Sequence, residues 1–181
     1  MPMPLLMLKD LPRYDCLLAA ADRYPEMKPR AHEAYLHLLR TADLVNDRQR
    51  AFLGRTRLTQ GRFSVLMLLR HAFDETDPAT PAALAEMAGV TRATMTGLLN
   101  TLERDGLIAR EADPHDRRLI RVQLTAEGND FLETLVSPWF ANVGDMISPL
   151  SEAECAQLVF LLQKLQRHLT TPAVVATEVS S

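Results

Sequence analysis

Between Thr91 and Thr101 the chain carries Arg92, Thr94, Thr96 and Asn100 and no carboxylate. Those side chains suit the edges of base pairs. Arg can grip guanine with two parallel N–H donors, Asn can pair with adenine, and Thr can meet either base or a thymine methyl. Ala93 and Gly97 lie on the same side, where short side chains would let a helix settle deep in a groove. Carboxylates, which phosphates would repel, return only at Glu103 and Asp105. A second basic feature is the run Asp116-Arg117-Arg118. One of its guanidinium groups could enter an adjacent minor groove, where narrow A·T tracts concentrate negative potential, with Asp116 as its brace. The plain alternatives are a solvated helix face and a solvated turn, although Thr and Gly are poor choices for an exposed helix.

Other chemistry finds little support. Glu33 and His37 form an i, i+4 pair with His32 nearby, but a structural zinc site needs four convergent ligands. No metal or other cofactor is expected. The cysteines, Cys16 and Cys155, are expected to be buried and inert. A Gly-rich phosphate loop and a nucleophile elbow are both missing, so an enzyme is not expected.

The elements that must position these residues follow from periodicity and caps. Thr80, with Pro81 behind it, should open a short helix that stops at Gly89. Thr91 should cap a second helix, with Val90 and Met95 as a hydrophobic staple. Met95, Leu98, Leu99 and Leu102 fall on one stripe, and Gly106 sits where a left-handed cap is wanted. Two alternating runs, LIARE and LIRVQL, flank ADPHDRR and predict a β-hairpin. Helix, tight turn, helix and hairpin make a winged helix-turn-helix, within a fold that is mainly α with a small β-hairpin wing and a helical dimerisation region.

Around that unit, residues 1–30 read as a partly helical extension, with a start near Asp10–Pro12 and an apolar side of Leu17, Leu18 and Ala21. A long helix is expected from Ala31 to Leu53 within a first dimerisation segment, 31–58. The DNA-binding region spans 59–125, opening on a helix with Val65, Leu66, Leu69, Ala72 and Phe73 inward. Two dimerisation helices fill 126–169. The first carries Pro138, which should kink or break it, and the second opens on a Ser151–Glu154 capping box. Residues 170–181 read as a disordered tail.

The whole chain, 181 residues with 24% charged and 47% apolar residues, carries a net −3. That mild acidity taken alone argues against nucleic-acid binding. Its distribution reverses the inference: residues 126–181 are net −5, whereas residues 91–125 are +1. No apolar run approaches a membrane span and no secretory signal is visible, so a cytoplasmic protein with no membrane partner is expected.

The sequence resembles the MarR family of bacterial regulators. The likeness rests on Leu84–Leu99, on Leu102-Glu-Arg-Asp-Gly-Leu-Ile-Ala-Arg110, on Asp113-Pro-His-Asp-Arg-Arg118, and on Val122-Gln-Leu-Thr125 with Glu127-Gly128. It covers about residues 31–169. The resemblance implies a homodimer whose recognition helices read a palindromic operator, spaced about 34 Å apart. It places Thr91, Arg92, Thr94, Thr96 and Asn100 at the major groove, Arg118 in the minor groove and Asp116 beside it. Many members carry a long side chain where this chain has Gly97. The resemblance also implies a small aromatic or carboxylate effector, for which Tyr35, Leu39, Met67 and His71 are the candidate contacts. The peroxide-sensing thiol of other members falls near Tyr35 and is absent. The expected function is a ligand-responsive repressor on double-stranded DNA. The alternative is a winged-helix module for protein contacts.

Overall fold

Hydroxyl side chains cap several of the helix starts of this chain. Thr59, Thr80, Thr91 and Ser151 each accept a hydrogen bond from the backbone N–H three residues on, at 3.4, 3.2, 3.1 and 3.4 Å. Such a bond satisfies a donor that the helix itself cannot pair. The computed structural model describes residues 4–6, 10–56, 58–73, 79–113 and 118–171. Among them run α1 (Tyr14–Arg23), α2 (Pro29–Leu53), α3 (Gln60–His71), α4 (Pro81–Met87), α5 (Arg92–Arg104), β1 (Ile108–Ala112), β2 (Ile120–Leu124), α6 (Ala126–Ile147) and α7 (Glu152–Thr170). The mainly helical fold with one hairpin is as the sequence predicts.

The chain forms two compact units, Met1–Pro138 and Trp139–Ser181. In the first, α3, α4, α5 and the hairpin close a core in which Val65, Leu66, Leu84, Met95, Leu102 and Leu132 are fully buried. Each such side chain contributes about 1.5–3 kcal/mol through removal from water. Gly89 turns the chain between α4 and α5 at φ 64°, and Gly106 ends α5 at φ 76°, backbone angles that other residues rarely adopt. The strands pair antiparallel, Ile108 opposite Leu124 and Arg110 opposite Val122. Val122 N–H also donates to Ala79 O at 2.8 Å, which ties the start of α4 to the wing. At the loop end of the hairpin, buried Asp113 is paired with Arg121. Thr125 hydroxyl donates to Gly106 O at 2.7 Å and accepts from Gly128 N–H at 2.9 Å, fixing how α6 leaves the wing. Gly128 is required there, because a Cβ would stand 1.9 Å from Leu107 O.

The extension is anchored by a group that periodicity does not reveal. Asp43 on α2 is buried and accepts from the backbone N–H groups of Leu5 and Leu6 at 2.8 and 3.0 Å. Arg30 lies over the Tyr14 ring at 3.9 Å, a cation–π contact joining α1 to α2. Leu17 is buried in the single chain, while Leu18 is exposed, so the expected apolar side is divided.

The second unit holds the end of α6 and all of α7. No residue of α7 is buried, and Leu158, Val159, Phe160, Leu161, Leu165 and Leu169 are all exposed. No helix is long and apolar enough to cross a membrane among the described residues.

Several expectations need correction. The first long helix starts at Pro29, not Ala31, because Pro is well suited to the first helical position. The extension helix starts at Tyr14 rather than near Pro12. Of the kink or break expected at Pro138, the break does not occur, since α6 runs through it. Cys16 is exposed rather than buried, and Cys155 is half-buried with its thiol 3.9 Å from Leu150 O. The last helix reaches Thr170, and residues 172–181 of the expected tail lie outside the described residues.

Candidate nucleic-acid interface

Helix α5 separates its two faces sharply. Met95, Leu99 and Leu102 are buried, whereas Thr91, Arg92, Ala93, Thr94, Thr96, Gly97 and Asn100 are all exposed. Helical periodicity alone places them so, because the leucines take one stripe and leave the polar residues outside. The exposed hydroxyls are tethered to the helix. Thr96 donates to Arg92 O at 2.8 Å, Thr101 to Gly97 O at 3.0 Å, and Thr94 Oγ1 lies 2.9 Å from Thr91 Oγ1. A hydroxyl that spends its proton in this way offers lone pairs and a methyl group outward. Around Gly97 nothing lies within 4 Å of where a Cβ would stand, so no neighbour in the chain requires glycine there.

The acids that end this face are held by arginines. Asp105 takes Arg62 at 3.0 Å and Arg104 at 3.4 Å. Glu103 lies 3.7 Å from Arg110, whose other terminal nitrogen donates to Asn100 Oδ1 at 2.9 Å. Arg110 was not among the residues expected from sequence. Its position in the alternating strand carries no sign that it turns toward α5.

The wing brings further residues to this surface. Arg118 is exposed at the hairpin, while Asp116 and Arg117 lie outside the described residues. Arg92, Thr96 and Arg118 meet in one cavity of about 330 Å³, completed by Thr80, Pro81, Ala82, Leu119 and Ile120. The candidate effector contacts stand elsewhere. Tyr35 and Leu39 belong to α2, Met67 and His71 to α3, and none of them lines this cavity. Tyr35 and His71 are exposed, and Leu39 and Met67 are half-buried. Glu33 is engaged by Arg30 at 2.8 Å, and no cluster of three metal-ligating groups occurs among the described residues.

The MarR family model matches residues 58–120, the stretch from the start of α3 to β2. The HTH-type transcriptional repressor YetL of Bacillus subtilis is 32% identical over 163 residues, which is 90% of this chain and 96% of YetL. The chain belongs to the MarR family. Members of this family are transcription regulators, not enzymes. Two solved structures extend the likeness. A DNA complex of MepR from S. aureus is 27% identical with a TM-score of 0.66, covering 74% of this chain and 97% of that one. A structure of BpsR from Bordetella bronchiseptica, whose DNA binding is regulated by 6-hydroxynicotinic acid, is 27% identical with a TM-score of 0.62. It covers 72% of this chain and 91% of BpsR. The MarR chain described here is accordingly a DNA-binding regulator of transcription with a winged helix-turn-helix.

Proposed function

We propose that this MarR-family regulator is a repressor that binds a palindromic operator as a homodimer and is released by a small aromatic or carboxylate ligand. The observation that carries the reading is the polar face of α5, free of carboxylates from Thr91 to Thr101, with Arg92, Thr94, Thr96 and Asn100 exposed against a buried opposite stripe. Thr91, Arg92, Thr94, Thr96 and Asn100 meet base edges and phosphates in the major groove, and Ala93 and Gly97 let the helix approach closely. Arg118 reaches the minor groove beside it, and its sequence neighbours Asp116 and Arg117 are proposed for the same contact.

Homodimerisation is supported by the uncovered apolar side chains of α7, by exposed Tyr35, Leu38 and Leu44 on α2, and by Phe140 on α6. A two-fold protein matches a two-fold site. The effector reading draws support from the regulation of BpsR by a small aromatic acid. Tyr35, Leu39, Met67 and His71 are its candidate contacts. The cavity of Arg92 and Arg118 is a second candidate, with two cationic side chains for a carboxylate and Leu119 and Ile120 for an apolar ring. A ligand there would occupy the same arginines that DNA needs.

Quantitative binding to promoter fragments at several salt concentrations tests the DNA contacts. Arg118→Ala should weaken binding and make the dependence of log affinity on log salt shallower by about one unit. Thr94→Ala should cost about 1–3 kcal/mol at a contacted base while leaving nonspecific binding in place. Unchanged affinity and preference in both variants would reject this assignment and favour a protein-contact module.

A further inference from the structure

Asn100 is expected from its type to read adenine, because its amide can accept from adenine N6 while donating to N7. The structure commits that amide differently. Arg110, reaching over from β1, donates to Asn100 Oδ1 at 2.9 Å. A guanidinium has donors only, so the Asn100 atom facing it must be the carbonyl oxygen. The sense of the amide is thereby set: oxygen toward the wing, Nδ2 toward the other side of an exposed residue. Arg110 is itself well seated, since only 23% of its side chain is exposed and Glu103 lies 3.7 Å from its second terminal nitrogen. Its Nε is buried without a hydrogen-bond partner.

The charge beside Oδ1 matters as much as the bond. An adenine N6 or cytosine N4 amino group would have to share that oxygen with a cationic donor already in place. Guanine presents O6 and N7, two acceptors and no donor, to the same edge. Arg110 takes one lone pair of Asn100 Oδ1 and sets its positive charge beside the other, so the Nδ2–H donors are what Asn100 presents best. We infer that Arg110 is a positioning residue that turns Asn100 into a hydrogen-bond donor, so that α5 selects guanine over adenine where Asn100 meets the operator. The inference rests on the reading above that α5 enters the major groove.

Selection of full-length protein on randomised duplex DNA, followed by sequencing of the bound pool, tests it. The wild type should favour guanine over adenine by about tenfold at one position of each half-site, the scale of a single good base contact. Asn100→Ala should flatten that position alone. Arg110→Met, which keeps the length and loses the donor, should move it toward adenine, and Arg110→Lys, which keeps a cationic donor, should restore guanine. Thermal melts of each variant establish that it is folded. An operator whose preference is the same in Arg110→Met as in the wild type overturns the inference and leaves the DNA reading standing. So does a uniform loss of affinity in Asn100→Ala with no altered position. A wild-type protein that enriches no sequence overturns both readings.

Discussion

At the scale of the residue, the glycines show how far type and position can be read. Gly106 and Gly89 are legible as turn formers, since each falls where a helix ends, and both have positive φ. Gly128 is legible only as part of a motif; its reason is that α6 passes so close to Leu107 that a Cβ would stand 1.9 Å from the carbonyl oxygen. Gly128→Ala should therefore destabilise the protein by about 2–3 kcal/mol, the usual cost of forcing atoms into a filled space. Gly97 is the contrast, with open space around the missing Cβ. Gly97→Ala should gain about 1 kcal/mol from helix propensity and weaken operator binding by narrowing the approach of α5. Denaturant unfolding of the two variants checks both signs, and a Gly128→Ala protein as stable as the parent would refute the close contact. Asp43 and Arg110 were not readable in advance. Each acts on a partner distant in sequence or on another element, the backbone of Leu5 and Leu6 in one case and Asn100 in the other.

At the scale of the element, caps were the most legible signals, because a hydroxyl needs only its own next turn to do its work. Thr59, Thr80, Thr91, Thr125 and Ser151 stand at helix starts as their types predict. The α7 cap also has a consequence for pH. The Ser151 hydroxyl and backbone N–H both donate to the Glu154 carboxylate, at 2.7 and 2.8 Å. These bonds, the hydroxyl's first and the backbone's second, hold the Glu154 carboxyl below its ordinary value. A lowered folded value favours the ionised form in the fold. The contribution of the cap is thus complete above the unfolded carboxyl range and is lost as pH falls through the lowered folded value. Ser151→Ala should bring Glu154 back toward the ordinary range. An NMR titration of its carboxyl carbon measures this, and an unchanged titration would show that the serine hydroxyl is not the cause. Pro138 was less legible. A proline inside a helical pattern normally signals a break, yet α6 continues through it to Ile147. The apolar residues on both sides keep helical spacing, which offers a reason for the helix to continue.

At the scale of the whole molecule, the net charge of −3 misleads and its distribution informs. The acidic excess after Thr125 lies on α6, α7 and the tail, away in sequence from the reading face of α5. The exposed apolar rows of α7 give the prediction that belongs to this scale: sedimentation of the purified protein should find a dimer at micromolar concentration. The pair Leu161→Glu and Leu165→Glu, 48% and 46% exposed in the single chain, should yield a folded monomer with weakened operator binding. A parent protein that sediments as a monomer would remove the dimer from the proposed function. The sequence by itself determined the order of the elements, most of their caps, the two faces of α5 and the hairpin after it. All of these depend on neighbours within a turn or two of chain. Only the tertiary structure decided which polar groups are held by distant partners. It showed that Asp43 secures the N-terminal segment, that Arg110 sets the sense of the Asn100 amide, and that Arg92, Thr96 and Arg118 share one cavity. The physical reason is that helical and strand periods fix the side on which a residue stands. Long-range packing fixes what it meets there.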